Sequence, residues 1–182
     1  VGLAGSFSNA LAGTVTVPLL ASATGTATAS ASASASESSC PAPTARVARN
    51  VTYVKQPVSP LQRLDVYAPA RHGACEPAPV VMWVHGGGWH GGDKRAVYDK
   101  VKFFNGLGYV LVSVDYRLST PLLADNRPMH PDHSNDVGAA VAWVEHHIAD
   151  YGGDGTKIAL LGHSAGAHLV ALVGTDPTYI ER

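Results

Sequence analysis

The sequence predicts an α/β fold in which helices cover both faces of a mainly parallel sheet. Two observations support this prediction. From residue 46 onward, short apolar runs alternate with helical stretches, and glycine-rich segments directly follow two of the apolar runs. This alternation is typical of a parallel sheet whose strands are buried on both faces. A chain of 182 residues with 46% hydrophobic and 15% charged residues also suits one domain with a packed core.

The first 39 residues differ from the rest because they consist mostly of Ala, Ser, Thr and Gly. Such a segment cannot bury enough apolar surface to offset its chain entropy, so we expect residues 1–39 to be disordered and the domain to occupy residues 40–182. Residues 11–23 resemble the apolar part and cleavage region of a secretory signal, and they are too short to span a bilayer. We therefore expect a secreted or extracytoplasmic protein. A flexible linker is the alternative.

The two cysteines, Cys40 and Cys75, lie at the edges of the expected domain. An even count beside an export signal favours a disulfide between them, and two unpaired thiols are the alternative. With 13 Lys and Arg against 14 Asp and Glu, the net charge of −1 leaves no basic surface for nucleic acid or for a membrane. A small-molecule substrate is the expected partner.

Apolar patterning predicts the first three strands. Residues 47–54 and 61–67 alternate apolar and polar side chains, as half-buried strands do, and we expect them to form an antiparallel hairpin. Residues 80–85 form a continuous apolar run that ends in glycines, which is typical of a strand buried on both faces. Asp93 can then cap a helix that reaches Asn105.

The second half of the chain repeats the alternation of strand and helix. Residues 109–115 form another buried run, and residues 133–151 carry an apolar stripe at helical spacing before a pair of glycines ends the helix. Residues 157–162 predict a fifth strand, and residues 164–174 predict the helix that follows it. The stripe consists of Val137, Val141, Val144 and Ile148.

Residues 162–166, Gly-His-Ser-Ala-Gly, fit the pattern G-x-S-x-G between a strand and a helix. A serine on so sharp a turn adopts a strained backbone, and the small residues at both ends let the strand and the helix cross closely. The hydroxyl of Ser164 then projects outward, and the N–H of Ala165 lies at a helix start that favours a developing anion. The motif indicates a serine nucleophile.

Residues 85–89, His-Gly-Gly-Gly-Trp, follow the strand at 80–85. Their glycines let backbone N–H groups face a ligand without intruding side chains, as an oxyanion hole requires. From about residue 46 to the end, the chain resembles the HGGG-type α/β-hydrolases, the group of the hormone-sensitive-lipase-like esterases. The stretches that carry the resemblance, closest to small carboxylesterases and kynurenine-formamidase-like members, are HGGGWHGGDK, DYRL, HPDHSNDV and GHSAGAHLVALVGTDP.

The resemblance implies an α/β-hydrolase fold and a role for each matching residue. Ser164 becomes the nucleophile, and Trp89 borders the acyl pocket. Backbone N–H groups of three residues become the oxyanion donors, namely Gly87, Gly88 and Ala165. His85 braces the loop, and the D-Y-R element at 115–117 supports the loop from beneath.

The sequence departs from the family after the serine, where the family places an Asp or Glu and then a His. His168 and Asp176 occur in the reverse order, and His168 lies one helical turn beyond Ser164. We expect His168 to pack beneath the elbow as a structural residue. The chain is therefore expected to be the N-terminal part of an α/β-hydrolase domain, truncated after the nucleophile helix and nearly inactive as it stands.

The remaining polar residues suggest neither a metal nor a cofactor. Nine histidines show no metal-ligand spacing, so we expect no bound metal. Asp136, Glu145 and Asp150 are interpreted as helix-capping or solvent-facing charges. The predicted function is hydrolysis of a carboxylic ester through an acyl-enzyme, with a formamidase-type amide hydrolase and a non-catalytic binding module as the alternatives.

Overall fold

The sheet contains five strands in the part of the chain that the computed structural model describes, residues 46–70, 76–121 and 124–180. The strands are β1 (Arg46–Thr52), β2 (Arg63–Ala68), β3 (Ala78–Val84), β4 (Val110–Val114) and β5 (Gly153–Gly162). The helices are α1 (Lys100–Gly106), α2 (Asp132–His147) and α3 (Ala165–Thr175), with 3₁₀ turns at Ile148–Tyr151 and Pro177–Tyr179. The predicted leader and both cysteines lie outside the described residues.

The strands are arranged in the order β1-β2-β4-β3-β5. As predicted, β1 and β2 pair as an antiparallel hairpin, and β2 is also antiparallel to β4. The strand β3 lies between β4 and β5 and is parallel to both. The described sheet is thus mixed, and the two strands that precede the glycine-rich motifs are neighbours at its parallel end.

Three predicted boundaries were wrong for local reasons. Asp93 accepts hydrogen bonds from the backbone N–H and the side chain of Arg95, as a capping residue would, but residues 94–99 form turns and not a helix. Tyr98 then has a left-handed φ of 46°, so α1 begins only at Lys100. The predicted helix at 133–151 tightens into a 3₁₀ turn after His147 and ends at Gly152, whose φ is 77°. The strand β5 begins directly afterwards, earlier than predicted.

Both faces of the sheet bury apolar side chains. Alternate residues of β3 face opposite sides, so Val80 and Met82 contact one cluster while Val81 and Trp83 contact the other. The first cluster contains the predicted stripe, three members of which lie on α2 and the fourth, Ile148, on the 3₁₀ turn that follows; all four are buried. Each such side chain stabilises the fold by about 1.5–3 kcal/mol, so this stripe holds α2 against the sheet.

No helix among the described residues is long and apolar enough to cross a membrane.

The outer side of β5 pairs with no other strand in the described part of the chain. The run Ile158–Leu161 carries no charge and no Pro, and Leu161 is 39% exposed. An open apolar edge is a template for pairing with another chain. We therefore expect the 182-residue chain to associate in sedimentation velocity, and we expect Ala159→Lys to reduce this association because a charge at an edge strand disfavours pairing.

Val58→Lys is the matched control, since Val58 is 79% exposed and lies outside the sheet. This variant makes the same change of charge without altering the edge. A monodisperse monomer of the 182-residue chain, or equal effects of the two lysines, would show that the β5 edge does not drive association.

Candidate active site

The register of the parallel strands brings the two glycine-rich motifs together. Val84 of β3 is aligned with Val114 of β4 and with Gly162 of β5. The residues that follow these three strands therefore lie at one edge of the sheet. Open α/β sheets bind their ligands at this edge, beyond the carboxyl ends of the strands.

Ser164 occupies a strained turn between β5 and α3. Its φ of 52° and ψ of −118° lie outside the backbone regions that residues with a side chain normally adopt, as the elbow motif predicted. A Cβ added to Gly162 would lie 2.5 Å from the carbonyl carbon of Gly166, so the strand and the helix do cross closely there. Ser164 is exposed, whereas Ala165 beneath it is buried. The turn thus presents the hydroxyl at the surface on a rigid base.

The segment His85–Trp89, called here the oxyanion loop, also has left-handed backbone. The φ angles of Gly87, Gly88 and Trp89 are 124°, 60° and 64°. The loop folds back tightly, with the N–H of Gly91 donating to the carbonyl of Gly87 at 3.0 Å. Among the described residues, none accepts a hydrogen bond from the N–H of Gly87 or Gly88. These two donors are available to a ligand.

The oxyanion loop touches the nucleophile turn at Gly86. A Cβ added to Gly86 would lie 2.8 Å from Nδ1 of His163 and 3.1 Å from Cβ of Ser164. Any side chain larger than hydrogen would force the two motifs apart. The close approach therefore places the serine hydroxyl beside the backbone of the loop.

Asp115 contacts both ends of the segment His85–Lys94, which contains the loop. Its Oδ1 accepts a hydrogen bond from the N–H of Lys94 at 2.6 Å and lies 3.4 Å from Nε2 of His85. The carboxylate is buried, so these contacts replace the hydration that it loses. The aspartate of the D-Y-R element supports the loop as predicted.

Tyr116 also supports the loop at His85. Its ring stacks on His85 with the centroids 4.6 Å apart, and its hydroxyl donates to the carbonyl of His85 at 3.0 Å. Burial, reinforced by Asp115, raises the pKa of Tyr116 to about 12. The phenol therefore stays protonated and remains a hydrogen-bond donor at any physiological pH.

Arg117 does not lie beneath the loop. It forms a bidentate pair with Asp136 of α2, with N–O distances of 2.8 Å and 2.9 Å. The interpretation of Asp136 as a capping or solvent-facing charge was wrong, because the residue is 2% exposed and also accepts from Gln62 at 2.8 Å. These bonds raise the pKa of Arg117 and hold α2 against the segment after β4.

A cavity of about 300 Å³ opens beside the oxyanion loop. Trp89 borders it, and the ring of Trp89 meets His168 edge-on at a centroid distance of 5.5 Å. The prediction that His168 packs beneath the elbow was wrong, because its side chain is exposed along the cavity. The remaining lining residues are Gly88, Ser119, Met129, His130, His133 and Leu169.

Sequence reasoning missed three groups that the structure brings to this site. Ser119 and His133 lie on the cavity wall, and their hydrogen bond could not be read from their spacing. Lys94 was part of the stretch HGGGWHGGDK that carries the family resemblance, but the sequence assigned it no role. No group of three or more His, Cys, Asp or Glu among the described residues is placed to hold a metal ion.

The side chain of Ser164 hydrogen-bonds to no other described residue. His163 points toward Gly86, and His168 lies beside Trp89. The described residues therefore present an exposed serine hydroxyl beside unpaired backbone N–H groups, without a histidine hydrogen-bonded to the serine.

Comparison with known proteins gives one family match. The BD-FAE family model matches residues 64–180, which include both glycine-rich motifs.

Similar curated proteins include two from Mycobacterium tuberculosis. The probable carboxylic ester hydrolase LipM is 41% identical over 101 residues, covering 55% of this chain and 22% of LipM. Esterase LipC is 38% identical over 126 residues, covering 66% of this chain and 29% of LipC. The chain thus spans less than a third of either relative.

Similar solved structures are also esterases. Esterase B from Lactobacillus Rhamnosis has a TM-score of 0.59 and 29% identity, with 71% of this chain and 38% of that chain covered. The thermophilic esterase Est2 from Thermogutta terrifontis has a TM-score of 0.56 and 30% identity, with 71% and 44% covered.

The contact at Gly86 makes a prediction about stability. Gly86→Ala should lower the free energy of unfolding by about 1–3 kcal/mol, because its Cβ would overlap His163 and Ser164. Gly106→Ala is the matched control, since a Cβ there meets nothing within 4 Å and the residue is helical. We expect this control to stabilise by about 0.5 kcal/mol. Urea unfolding of both variants tests the prediction, and equal stabilities would contradict the close approach.

Proposed function

The chain belongs to the BD-FAE family of α/β-hydrolases, and from this premise we propose that it hydrolyses carboxylic esters through an acyl-enzyme on Ser164. The similarity to proteins named as esterases supports this reaction class. The observation that carries the proposal is the contact at Gly86, which sets an exposed serine on a strained turn against a loop with unpaired N–H groups. A binding module has no need of that juxtaposition.

In the proposed reaction, Oγ of Ser164 attacks the ester carbonyl carbon as its proton passes to a base. The carbonyl oxygen becomes an oxyanion, held by the N–H groups of Gly87, Gly88 and Ala165. The tetrahedral intermediate collapses with loss of the alcohol, which takes the proton from the base. Water then attacks the acyl-enzyme by the same route and releases the acid.

We assign the base and its supporting acid to groups outside the described residues. A general base must lie within hydrogen-bond reach of the hydroxyl that it deprotonates. No described side chain bonds to Ser164, and His168 is engaged with Trp89 instead. An oxyanion donor is worth about 3 kcal/mol, so the loop alone cannot replace the base.

We assign the acyl group of the substrate to the cavity beside Trp89. The cavity adjoins Gly88, one of the proposed oxyanion donors, and its walls include Met129 and Leu169. A volume of about 300 Å³ suits a small-molecule ester.

The nucleophile is tested by covalent labelling. In protein expressed from its natural coding sequence, an alkyl phosphonate should label Ser164 and no other residue, because Ser164 alone among the serines that the structure describes has a left-handed φ beside the oxyanion loop. Peptide mass spectrometry locates the label, and hydrolysis of 4-nitrophenyl acetate and of a matched anilide measures ester against amide preference.

Ser113→Ala does not serve as a control because Ser113 is buried and bonded to Lys94. Ser59→Ala is preferred, since Ser59 lies on the turn before β2 and belongs neither to the cavity lining nor to the contact at Gly86. Labelling that persists in Ser164→Ala would reject the assignment. Faster cleavage of the anilide than of the ester would favour an amidase.

We also propose that the protein is exported and that Cys40 and Cys75 form a disulfide. The Ala/Ser/Thr-rich leader and the even cysteine count support this. A bond closing that loop would stabilise the fold by about 3–4 kcal/mol in the chain-entropy model. Thiol titration of the unreduced, denatured protein should find no free thiol, and two free thiols would reject the pairing.

A further inference from the structure

Ser119 connects the oxyanion loop to the rest of the cavity wall. Its backbone N–H donates to the carbonyl of Trp89 at 2.8 Å. Its hydroxyl donates to the carbonyl of Pro128 at 2.6 Å and lies 3.0 Å from Nε2 of His133. One residue thus joins the end of the loop to the segment before α2 and to α2 itself.

The hydrogen bonds define how His133 is protonated. A serine hydroxyl has one hydrogen, which Ser119 gives to Pro128, so Nε2 of His133 carries a hydrogen and donates it to Ser119. His133 is 4% exposed, and burial lowers the pKa of its imidazole. Among the charged groups that face it, Asp132 and Asp136 oppose that shift, whereas Arg117 and His130 reinforce it. The neutral Nε2–H form is therefore the one present at neutral pH.

The same histidine reaches the opposite end of the loop. Its ring meets Tyr116 edge-on at a centroid distance of 6.2 Å, and Tyr116 stacks on His85. The loop is therefore held at His85 through Tyr116 and at Trp89 through Ser119. His133 contacts both Tyr116 and Ser119, so it supports both ends of the loop.

These contacts suit a positioning role. Nε2 of His133 is occupied by Ser119 and the ring is buried, so the imidazole does not exchange protons with a substrate in the cavity. Trp89 has a left-handed φ of 64°, which costs energy for a residue with a side chain and persists only where its surroundings hold it. The bond from Ser119 to the Trp89 carbonyl provides such a restraint.

We propose that Ser119 and His133 are positioning residues that hold the Trp89 end of the oxyanion loop in its oxyanion-binding conformation. The inference rests on the proposed esterase function. A loop that holds the oxyanion matters more for the transition state than for the bound ester. Loss of the restraint should therefore lower kcat and leave KM nearly unchanged.

The test uses Ser119→Ala, His133→Phe and His133→Gln in protein expressed from its natural coding sequence. With 4-nitrophenyl acetate, the first two should lower kcat by about 10- to 100-fold, the loss typical of a misplaced catalytic group. Gln places an amide N–H at the same number of bonds from Cβ as Nε2, so His133→Gln should recover most of kcat. His146→Phe, at an exposed histidine of the same helix, is the control and should leave kcat unchanged.

The pH dependence of stability adds a second readout. Since the folded pKa of His133 is lowered, its neutral form contributes stability that is fully present above the unfolded value of about 6.5 and is lost as pH falls toward the folded pKa. The free energy of unfolding of wild type should therefore decrease more steeply below that pH than that of His133→Gln. Parallel profiles would show that the imidazole is not held neutral.

Amide hydrogen exchange keeps the inference separate from the proposed function. In the 182-residue chain, the amides of His90, Gly91 and Ser119 are hydrogen-bonded within the loop or to it. They should exchange at least about tenfold faster in Ser119→Ala and His133→Phe than in wild type or His133→Gln. Unaltered exchange overturns the restraint, and faster exchange with unaltered kcat overturns the positioning role. A wild type that hydrolyses no ester rejects the proposed function, and exchange then decides the restraint alone.

Discussion

The arrangement of the site depends on the buried carboxylate of Asp115. One oxygen of this residue contacts both His85 and Lys94, and these two residues bound the segment that contains the oxyanion loop. A loop of consecutive glycines has high conformational entropy and would not keep three left-handed residues in place by itself. Fixing both ends with one group removes most of that freedom. The carboxylate can do so because the parallel register of β3 and β4 places it directly beside His85.

The antiparallel hairpin extends this support away from the cavity. Lys94 is buried, and its ammonium pairs with Asp65 of β2 at 3.1 Å and donates to Asn50 at 2.8 Å. Asp65 also accepts from the N–H of Asn50 at 2.8 Å, where β1 has a left-handed residue and an irregular register. Burying two charges costs desolvation energy that the pair only partly offsets, so the network is better understood as specifying geometry than as adding stability. It couples the strands farthest from Ser164 to the loop beside it.

On the cavity side, the supports are aromatic rings and neutral hydrogen bonds. Tyr116 stays protonated because burial raises its pKa, and burial keeps His133 neutral by lowering its pKa. Neutral donors suit a wall next to a site where negative charge develops, since their strength does not change with small changes in pH. The charged pair of Asp136 and Arg117 holds α2 against the segment after β4 and does not contact the loop.

The sequence alone determined the parts of this protein that depend on nearby residues. The strand–turn–helix context of Ser164, the glycines of the oxyanion loop and the stripe of α2 were all predictable, because backbone strain, close approach and helical periodicity are set within a few residues. Tertiary structure alone decided which polar groups meet. Asp136 is buried against Arg117, and His133 bonds to Ser119, because strand register and the packing of α2 bring together groups that are distant in the chain. His168 lies along the cavity for the same reason. No local pattern encodes such contacts.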